Sequence, residues 1–313
     1  MRQLASEQDK RGTLKMLKPV LSNLLVFALA AGAASAQESL KVYISADMEG
    51  VVGAVTDEQL GPSGFEYQRF REFMTNEVLA AIEGARAAGA TEFLVSDSHG
   101  NGQNLLIEKF PKDIQIVRSW PRHLGMMTGI DESFDAAFFI GYHSATSNLE
   151  GVRAHTMSSA RLTDIRLNGI SMPEAGINAA IAGEFGVPIA MISGDDAIVA
   201  EAGALLGHIE GATVKWAYSF HSARTLTPEA SYDLIRETAR KALSDLGAFK
   251  PYRLSNPITT EVAFKDYRPP QLLEYLPNVT RVDSHTIRFR GQNMREVSDM
   301  MVFINSYSTS LTP

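Results

Sequence analysis

The chain of 313 residues contains no cysteine. This excludes disulfide bonds and thiolate ligands, so any bound metal must be held by nitrogen and oxygen atoms. The sequence also lacks the Gly-x-Gly-x-x-Gly and Walker loops, the Gly-x-Ser-x-Gly elbow and the His-Glu-x-x-His helix. Nucleotide-binding proteins, serine hydrolases and thermolysin-like proteases therefore lose their usual sequence support.

Long apolar runs are absent after the N-terminal segment. Lys15 and Lys18 precede a short apolar run at 24–30, and Ala34-Ser35-Ala36 follows it. This order predicts a secretory signal peptide at residues 1–36. A membrane anchor is the alternative, but it needs a longer apolar span. We therefore expect a periplasmic or secreted mature protein.

An excess of positive charge is also missing. The whole chain has 29 basic and 36 acidic residues. Residues 1–36 contain five basic and two acidic residues, so the mature chain keeps 24 and 34, a net charge of −10. This balance gives no electrostatic reason to expect nucleic acid as a partner, or an anionic membrane after cleavage.

Strand-like and helix-like segments alternate along the mature chain. This alternation predicts an α/β fold with a largely parallel sheet covered by helices. We expect an α/β metal-binding catalytic domain at 37–248 and a small C-terminal α+β lobe at 249–313. The predicted strands are 41–45, 92–96, 114–117, 136–140, 161–167, 189–193, 258–264 and 286–290. The predicted helices are 66–88, 173–185, 228–246 and 271–276, one after Asp196 and one from Met294.

Five potential metal ligands follow predicted strands or begin a helix. Asp47 and Glu49 follow the first strand, His99 the second, His143 the apolar strand at 136–140, and Glu174 opens a helix. Ligands of open α/β sheets bind beyond the carboxyl ends of the strands, so these side chains should meet at one rim. Each alone has a plainer explanation: a turn residue, a structural histidine, or a charge in the first turn of a helix.

Together, two histidines and three carboxylates suit two zinc ions that share a bridging carboxylate and a water. Asp47 is the expected bridge because it comes first after its strand. This set predicts metal-assisted hydrolysis.

The same residues lie in motifs that resemble those of the zinc-dependent D-aminopeptidases of the DppA type, peptidase family M55. The motifs are Ser45-x-Asp47-x-Glu49-Gly50, Ser96-Asp97-Ser98-His99, Gly141-Tyr142-His143, Ala154-His155-Thr156-Met157 and Glu174-x-Gly176-x-Asn178. The resemblance spans nearly the whole mature chain. It implies that Asp47, Glu49, His99, His143 and Glu174 bind zinc. It also implies a catalytic His155, cleavage of short peptides with an N-terminal D-amino acid such as D-Ala, and a homo-oligomer, a ring-shaped decamer.

Several alternatives stay open at this point. His155 could be a histidine packed on the rim, and Asp97 could orient His99 or simply stabilise a turn. Asp195 and Asp196 could contact a substrate amine or cap a helix. The protein could also be an exported ligand-binding protein or a dinuclear metal amidohydrolase of other specificity.

Arg118, Trp120 and Arg122 could shape a substrate pocket, whereas four histidines outside the motifs are expected to be structural or to lie on the surface. These four are His123, His208, His221 and His285.

Overall fold

The computed structural model describes residues 39–307. The predicted signal peptide at 1–36 lies outside these residues. Within them, no helix is both long enough and apolar enough to cross a membrane.

Twelve strands and seven α-helices can be assigned in the described residues. The strands are β1 Leu40–Ala46, β2 Ala90–Asp97, β3 Gln115–Val117, β4 Ala136–Tyr142, β5 Leu162–Leu167, β6 Ile170–Ser171, β7 Ile189–Asp195, β8 Glu210–Ser219, β9 Ser222–Thr225, β10 Ile258–Phe264, β11 Val279–Arg281 and β12 Thr286–Gly291. The helices are α1 Asp57–Leu60, α2 Tyr67–Ala87, α3 Glu174–Glu184, α4 Asp196–Leu206, α5 Pro228–Ser244, α6 Arg268–Leu273 and α7 Met294–Ser306.

The first sheet has seven strands in the order β3-β2-β1-β4-β7-β8-β9. All neighbouring strands are parallel except β8 and β9, which form an antiparallel pair. Every residue of β4 and β7 is buried, as expected for central strands covered on both faces. The predicted fold class, a largely parallel sheet covered by helices, is confirmed.

The two faces of this sheet contribute to two separate cores. On one face, Ile44 and Phe138 pack in a cluster with residues of α2 and α5. On the other, Tyr43 and Phe139 pack in a cluster with α3, α4, α7 and the second sheet. The alternation along β1 and β4 divides these side chains between the faces, because successive strand residues point to opposite sides.

The second sheet is antiparallel, with five strands in the order β11-β12-β10-β5-β6. Strands β5 and β6 form a hairpin that turns at Asn168-Gly169, where both residues have positive φ. Their neighbour β10 is far along the chain, so the sheet combines strands from either side of residue 248. The domain boundary predicted at 248/249 stays a prediction.

Candidate metal centre and catalytic site

The structure brings all six predicted site residues to the carboxyl edge of the first sheet. Asp47 and Glu49 follow β1, His99 follows β2 and His143 follows β4, while Glu174 is the first residue of α3. The sixth, His155, lies in the loop between β4 and β5. The rule that ligands gather at the carboxyl ends of parallel strands therefore locates the cluster correctly.

Two glycines allow the loop after β1 and the end of β4 to approach closely. A Cβ atom at Gly50 would lie 2.0 Å from the carbonyl oxygen of Tyr142. At Gly141, φ is +73° and a Cβ atom would lie 2.3 Å from the carbonyl oxygen of Asp47. Glycine is required at both places, because any side chain would push the loop away from the end of β4.

His99 is held between a backbone carbonyl and two carboxylates. Its Nε2 lies 2.6 Å from the carbonyl oxygen of Leu60, so Nε2 carries a proton. Its Nδ1 lies 2.8 Å from Glu49 Oε2 and 3.2 Å from Asp47 Oδ1. A backbone carbonyl that fixes the other ring nitrogen is a common support for a metal-bound histidine.

His143 has the same arrangement with the nitrogens exchanged. Its Nδ1 lies 3.1 Å from the carbonyl oxygen of Ser144. Its Nε2 is buried and has no hydrogen-bond partner within residues 39–307, although Asp47 Oδ2 is 3.3 Å away and Glu174 Oε1 is 3.5 Å away. A buried ring nitrogen that points at two carboxylate oxygens without bonding either one fits a metal ligand.

His155 lies at the edge of this cluster. Its Nδ1 lies 2.8 Å from the carbonyl oxygen of Arg153, which leaves Nε2 facing Glu49 Oε1 at 3.9 Å and Glu174 Oε1 at 3.8 Å. The ring stacks on His143 with a centroid distance of 4.1 Å.

The backbone on both sides of His155 is unusual. Arg153 has φ +55° and Met157 has φ +63°, the left-handed region that non-glycine residues rarely adopt. Met157 N donates a 2.7 Å hydrogen bond to Glu174, which ties this loop to α3. Strained backbone held by surrounding contacts is typical of functional sites.

Three buried carboxylates within one cluster require positive charge. Burial raises the pKa of Asp47, and the charge of Glu49 adds to the rise. Burial also acts to raise the pKa of Glu49, but the charge of His99 outweighs burial and lowers this pKa. The charge of His143 lowers the pKa of Glu174 in the same way. Burial opposes charge on these two histidines, yet the facing carboxylates hold both pKa values well above the ordinary range. A divalent cation satisfies the same demand.

The donor atoms form three overlapping groups that could hold metal ions. Asp47, Glu49 and His99 make one group, and Asp47, His143 and Glu174 make another. A third group joins Glu49 and His143 to His155. The donors are carboxylate oxygens and imidazole nitrogens, which suit zinc. Asp47 contributes one oxygen to each of the first two groups, as a bridging carboxylate would.

The cluster opens into a cavity of about 560 Å³. This volume is within the roughly 300–1,000 Å³ of small-ligand pockets. Trp120 contributes to the lining, as do Met301 and Asn305 from α7. Arg161 is the only lysine or arginine among the described lining residues.

The remaining sequence candidates have structural contacts. Asp97 accepts hydrogen bonds from Asn104 and from Leu105 N and does not bond the His99 ring. Asp195 caps α4 by accepting from Ile198 N at 2.9 Å.

Other predicted candidates lie around the site or away from it. Arg122 supports the end of β2 by donating to the carbonyl oxygen of Asp97 at 2.8 Å, and its guanidinium lies 3.9 Å from the Trp120 ring centroid. Asp196 accepts from Ala217 N. His123 is exposed and pairs with Asp299.

Sequence reasoning missed two buried charged residues under the β1 loop. Lys215 on β8 and Glu77 on α2 are both completely buried. Neither belongs to a motif, and a lysine within a strand ordinarily suggests a solvent-facing position.

Comparison with known proteins agrees with this geometry. A family model described as Peptidase_M55, D-aminopeptidase, matches residues 40–303. A curated D-aminopeptidase from Bacillus subtilis (strain 168) is 30% identical over 264 residues, which cover 84% of this chain and 96% of the relative. A solved structure is described as the Zn-dependent D-aminopeptidase DppA from Bacillus subtilis, a self-compartmentalizing protease. It matches with a TM-score of 0.82 and 29% identity over 86% of this chain and 99% of that one. The predicted family and enzyme class are confirmed: the chain belongs to the D-aminopeptidase family of peptidases and is a hydrolase of peptide bonds.

Proposed function

We propose that the protein is a zinc-dependent aminopeptidase that removes an N-terminal D-amino acid, D-alanine first among them, from short peptides. The observation that carries this proposal is the buried cluster at the strand ends, in which His143 Nε2 points at Asp47 and Glu174 without a hydrogen bond. Membership of the D-aminopeptidase family supports an enzyme over an exported ligand-binding protein.

Two zinc ions per chain would be held by Asp47, Glu49, His99, His143 and Glu174, with Asp47 shared between them. Two donor groups that meet at Asp47 support this count. Zinc bound in such a site supplies a water that ionises near neutral pH and a Lewis acid for the scissile carbonyl.

His155 is the proposed acid–base residue. The Arg153 carbonyl holds the proton of His155 on Nδ1, so the lone pair of Nε2 faces the cavity. From there, Nε2 can accept a proton from water and return it to the leaving amine. Its partial exposure, with 12% of the side chain accessible, leaves room for substrate beside the ring.

The charged lining suits a short peptide with free ends. Arg161 can pair with the C-terminal carboxylate. An aminopeptidase recognises the free N-terminal amine of its substrate, so a peptide with a blocked N-terminus should be rejected. A cavity of about 560 Å³ suits small substrates better than folded proteins.

The decisive experiment measures free amino acid released from matched D-alanyl and L-alanyl di- and tripeptides, with and without a chelator. We expect the D-alanyl peptides to be cleaved far faster, chelation to abolish the reaction, and N-acetylation to prevent it. Elemental analysis should find about two zinc ions per chain. Equal turnover of L-alanyl peptides, or cleavage of the acetylated ones, would favour a dinuclear amidohydrolase of other specificity.

Export is also part of the proposal, because the N-terminal segment has the pattern of a signal peptide. Peptidoglycan would supply D-alanyl peptides in the periplasm. Residues 1–40 fused to a reporter should deliver it there, and N-terminal sequencing should find a start at or near Gln37. An intact N-terminus embedded in the membrane would show an anchor instead.

We further propose that the active form is a homo-oligomer, a decamer. The solved relative is described as a self-compartmentalizing protease, which supports assembly of several copies. Light scattering of the purified mature protein should give a mass near ten chains, and a monomeric mass would contradict this proposal.

A further inference from the structure

The loop after β1, residues 47–54, is irregular yet almost entirely buried. It carries both Asp47 and Glu49. A buried loop cannot leave its peptide groups to water, so each needs a partner inside the protein. Part of this demand is met by β4, because Asp47 N donates to the carbonyl oxygen of Ile140 and Gly50 N donates to that of Gly141.

Lys215 satisfies three carbonyl groups of the same loop. Its ammonium group donates to the carbonyl oxygens of Glu49, Val51 and Ala54, the last two at 3.1 and 2.6 Å. An ammonium group has three hydrogens, so these contacts use all of them. The side chain is completely buried, where an aliphatic residue would pack without the cost of desolvating a charge. Packing alone therefore does not explain a lysine at this position.

Glu77 holds the loop from helix α2. Its Oε1 accepts a 3.0 Å hydrogen bond from Val52 N and a 2.8 Å bond from Ser231 Oγ on α5. The loop is thus fixed by a buried cation through its carbonyls and by a buried carboxyl group through an amide. Neither Lys215 nor Glu77 lines the cavity.

We propose that Lys215, assisted by Glu77, is a positioning residue that holds Asp47 and Glu49 in their ligand positions before zinc binds. This inference rests on the proposed zinc site. The bond to the carbonyl of Glu49 is the most direct part of the link, because it fixes the backbone of a candidate ligand. Lys215 acts through the loop and touches no substrate.

Zinc affinity of Lys215→Met tests the proposal. Methionine keeps the apolar length of the side chain and removes the three donors. Competition with a chromophoric chelator should show zinc binding weakened by roughly 10–100-fold, the range found when groups that support metal ligands are removed. The matched control is Val262→Ala, a fully buried change in the second sheet that should lower stability without changing zinc affinity.

Hydrogen exchange on the unmodified protein gives a second test that does not depend on the folding of a variant. The amides of Gly50, Val52 and Ala54 should be protected in zinc-free protein as well as with zinc, because the loop is already fixed. Rapid exchange without zinc, followed by protection on adding it, would show that the metal orders the loop and would overturn the proposal.

The outcomes separate this inference from the proposed function. If the wild-type protein binds zinc and the Lys215→Met variant binds it equally well, only the proposed role of Lys215 is overturned. Wild-type protein that binds no zinc would overturn the proposed function and this inference with it.

Discussion

In the first sheet, every residue of β4 and β7 is buried, whereas β5, β10 and β12 of the second sheet alternate between buried residues and residues that reach solvent. A parallel sheet with helices on both faces has no side exposed to solvent. An antiparallel sheet that is covered on one face keeps a solvent-exposed side, here called the wet face. The difference extends to function. The loops that follow strands of the first sheet carry five of the six predicted site residues, while the second sheet supports α7, which lines part of the cavity.

The two sheets should therefore respond differently to substitution. Changes at the carboxyl edge of the first sheet should affect metal binding and catalysis, and changes on the wet face of the second should affect neither.

Replacing His143 with alanine should have the largest effect. His143 Nε2 faces Asp47 and Glu174, so its loss removes one proposed zinc ligand and leaves two buried carboxylates without balancing charge. We expect zinc and peptidase activity to be lost together, as measured by elemental analysis and peptide hydrolysis.

The control for this change is His123→Ala, which removes an exposed histidine that belongs to none of the motifs. It should retain both zinc and activity. Full activity of His143→Ala after exhaustive chelation would contradict a metal mechanism.

Replacing His155 with alanine should separate chemistry from metal binding. We expect kcat to fall by roughly 10²–10⁴, the range for a positioned acid–base group, with zinc content unchanged. KM should change little, because other residues hold the substrate. If zinc is lost instead, His155 is a ligand, as the third donor group with Glu49 and His143 permits. Unchanged activity would mean that His155 is only a histidine packed on the rim of the site.

Replacing Glu77 with glutamine should change how stability depends on pH. Burial raises the pKa of Glu77 from 4.5 to about 7. Between these values the folded protein keeps a proton that the unfolded chain releases, so stability falls as the pH rises, by about 1.4 kcal/mol per unit for this group. Glutamine cannot titrate and should remove this slope.

Urea unfolding of wild type and Glu77→Gln at pH 5 and pH 7.5 would measure the difference. Parallel pH profiles for the two proteins would show that Glu77 is ionised in the folded state throughout.

Replacing Arg288 with alanine should have the smallest effect. Its Nε lies 2.8 Å from Glu261 Oε1 on the wet face of the second sheet, and both side chains reach solvent. Exposed ion pairs contribute about 0–1 kcal/mol. We expect unfolding to shift by no more than this and activity to remain at the wild-type level. A clear loss of activity would show that the wet face takes part in catalysis or assembly.

Local signals were sufficient to predict much of this molecule. The apolar run at 136–140 predicts a central strand because few other structures bury every residue of such a run. The cluster of Asp47, His99 and His143 follows from the strand-end rule, since it needs only the strands and their direction. The Asn168-Gly169 pair likewise indicates a turn from two residues alone.

Long-range pairing was not predictable in the same way. Nothing in β5 indicates that its neighbour is β10, although Asn168 and Thr259 exchange hydrogen bonds across the two segments. Strand β8 was missed because it starts at Glu210-Gly211 and contains Lys215, a charge that is satisfied only by a loop more than 160 residues earlier.

The spread of the site along the chain also decides when it can come into existence. Asp47 and Glu174 lie at opposite ends of a stretch that contains three strands of the first sheet and the hairpin of the second. A chain still being synthesised, or still passing through a membrane as an extended polymer, has the ligand residues but not their arrangement. Because a metal site of this kind forms only with the fold, we expect the protein to take up its metal in the compartment in which folding is completed.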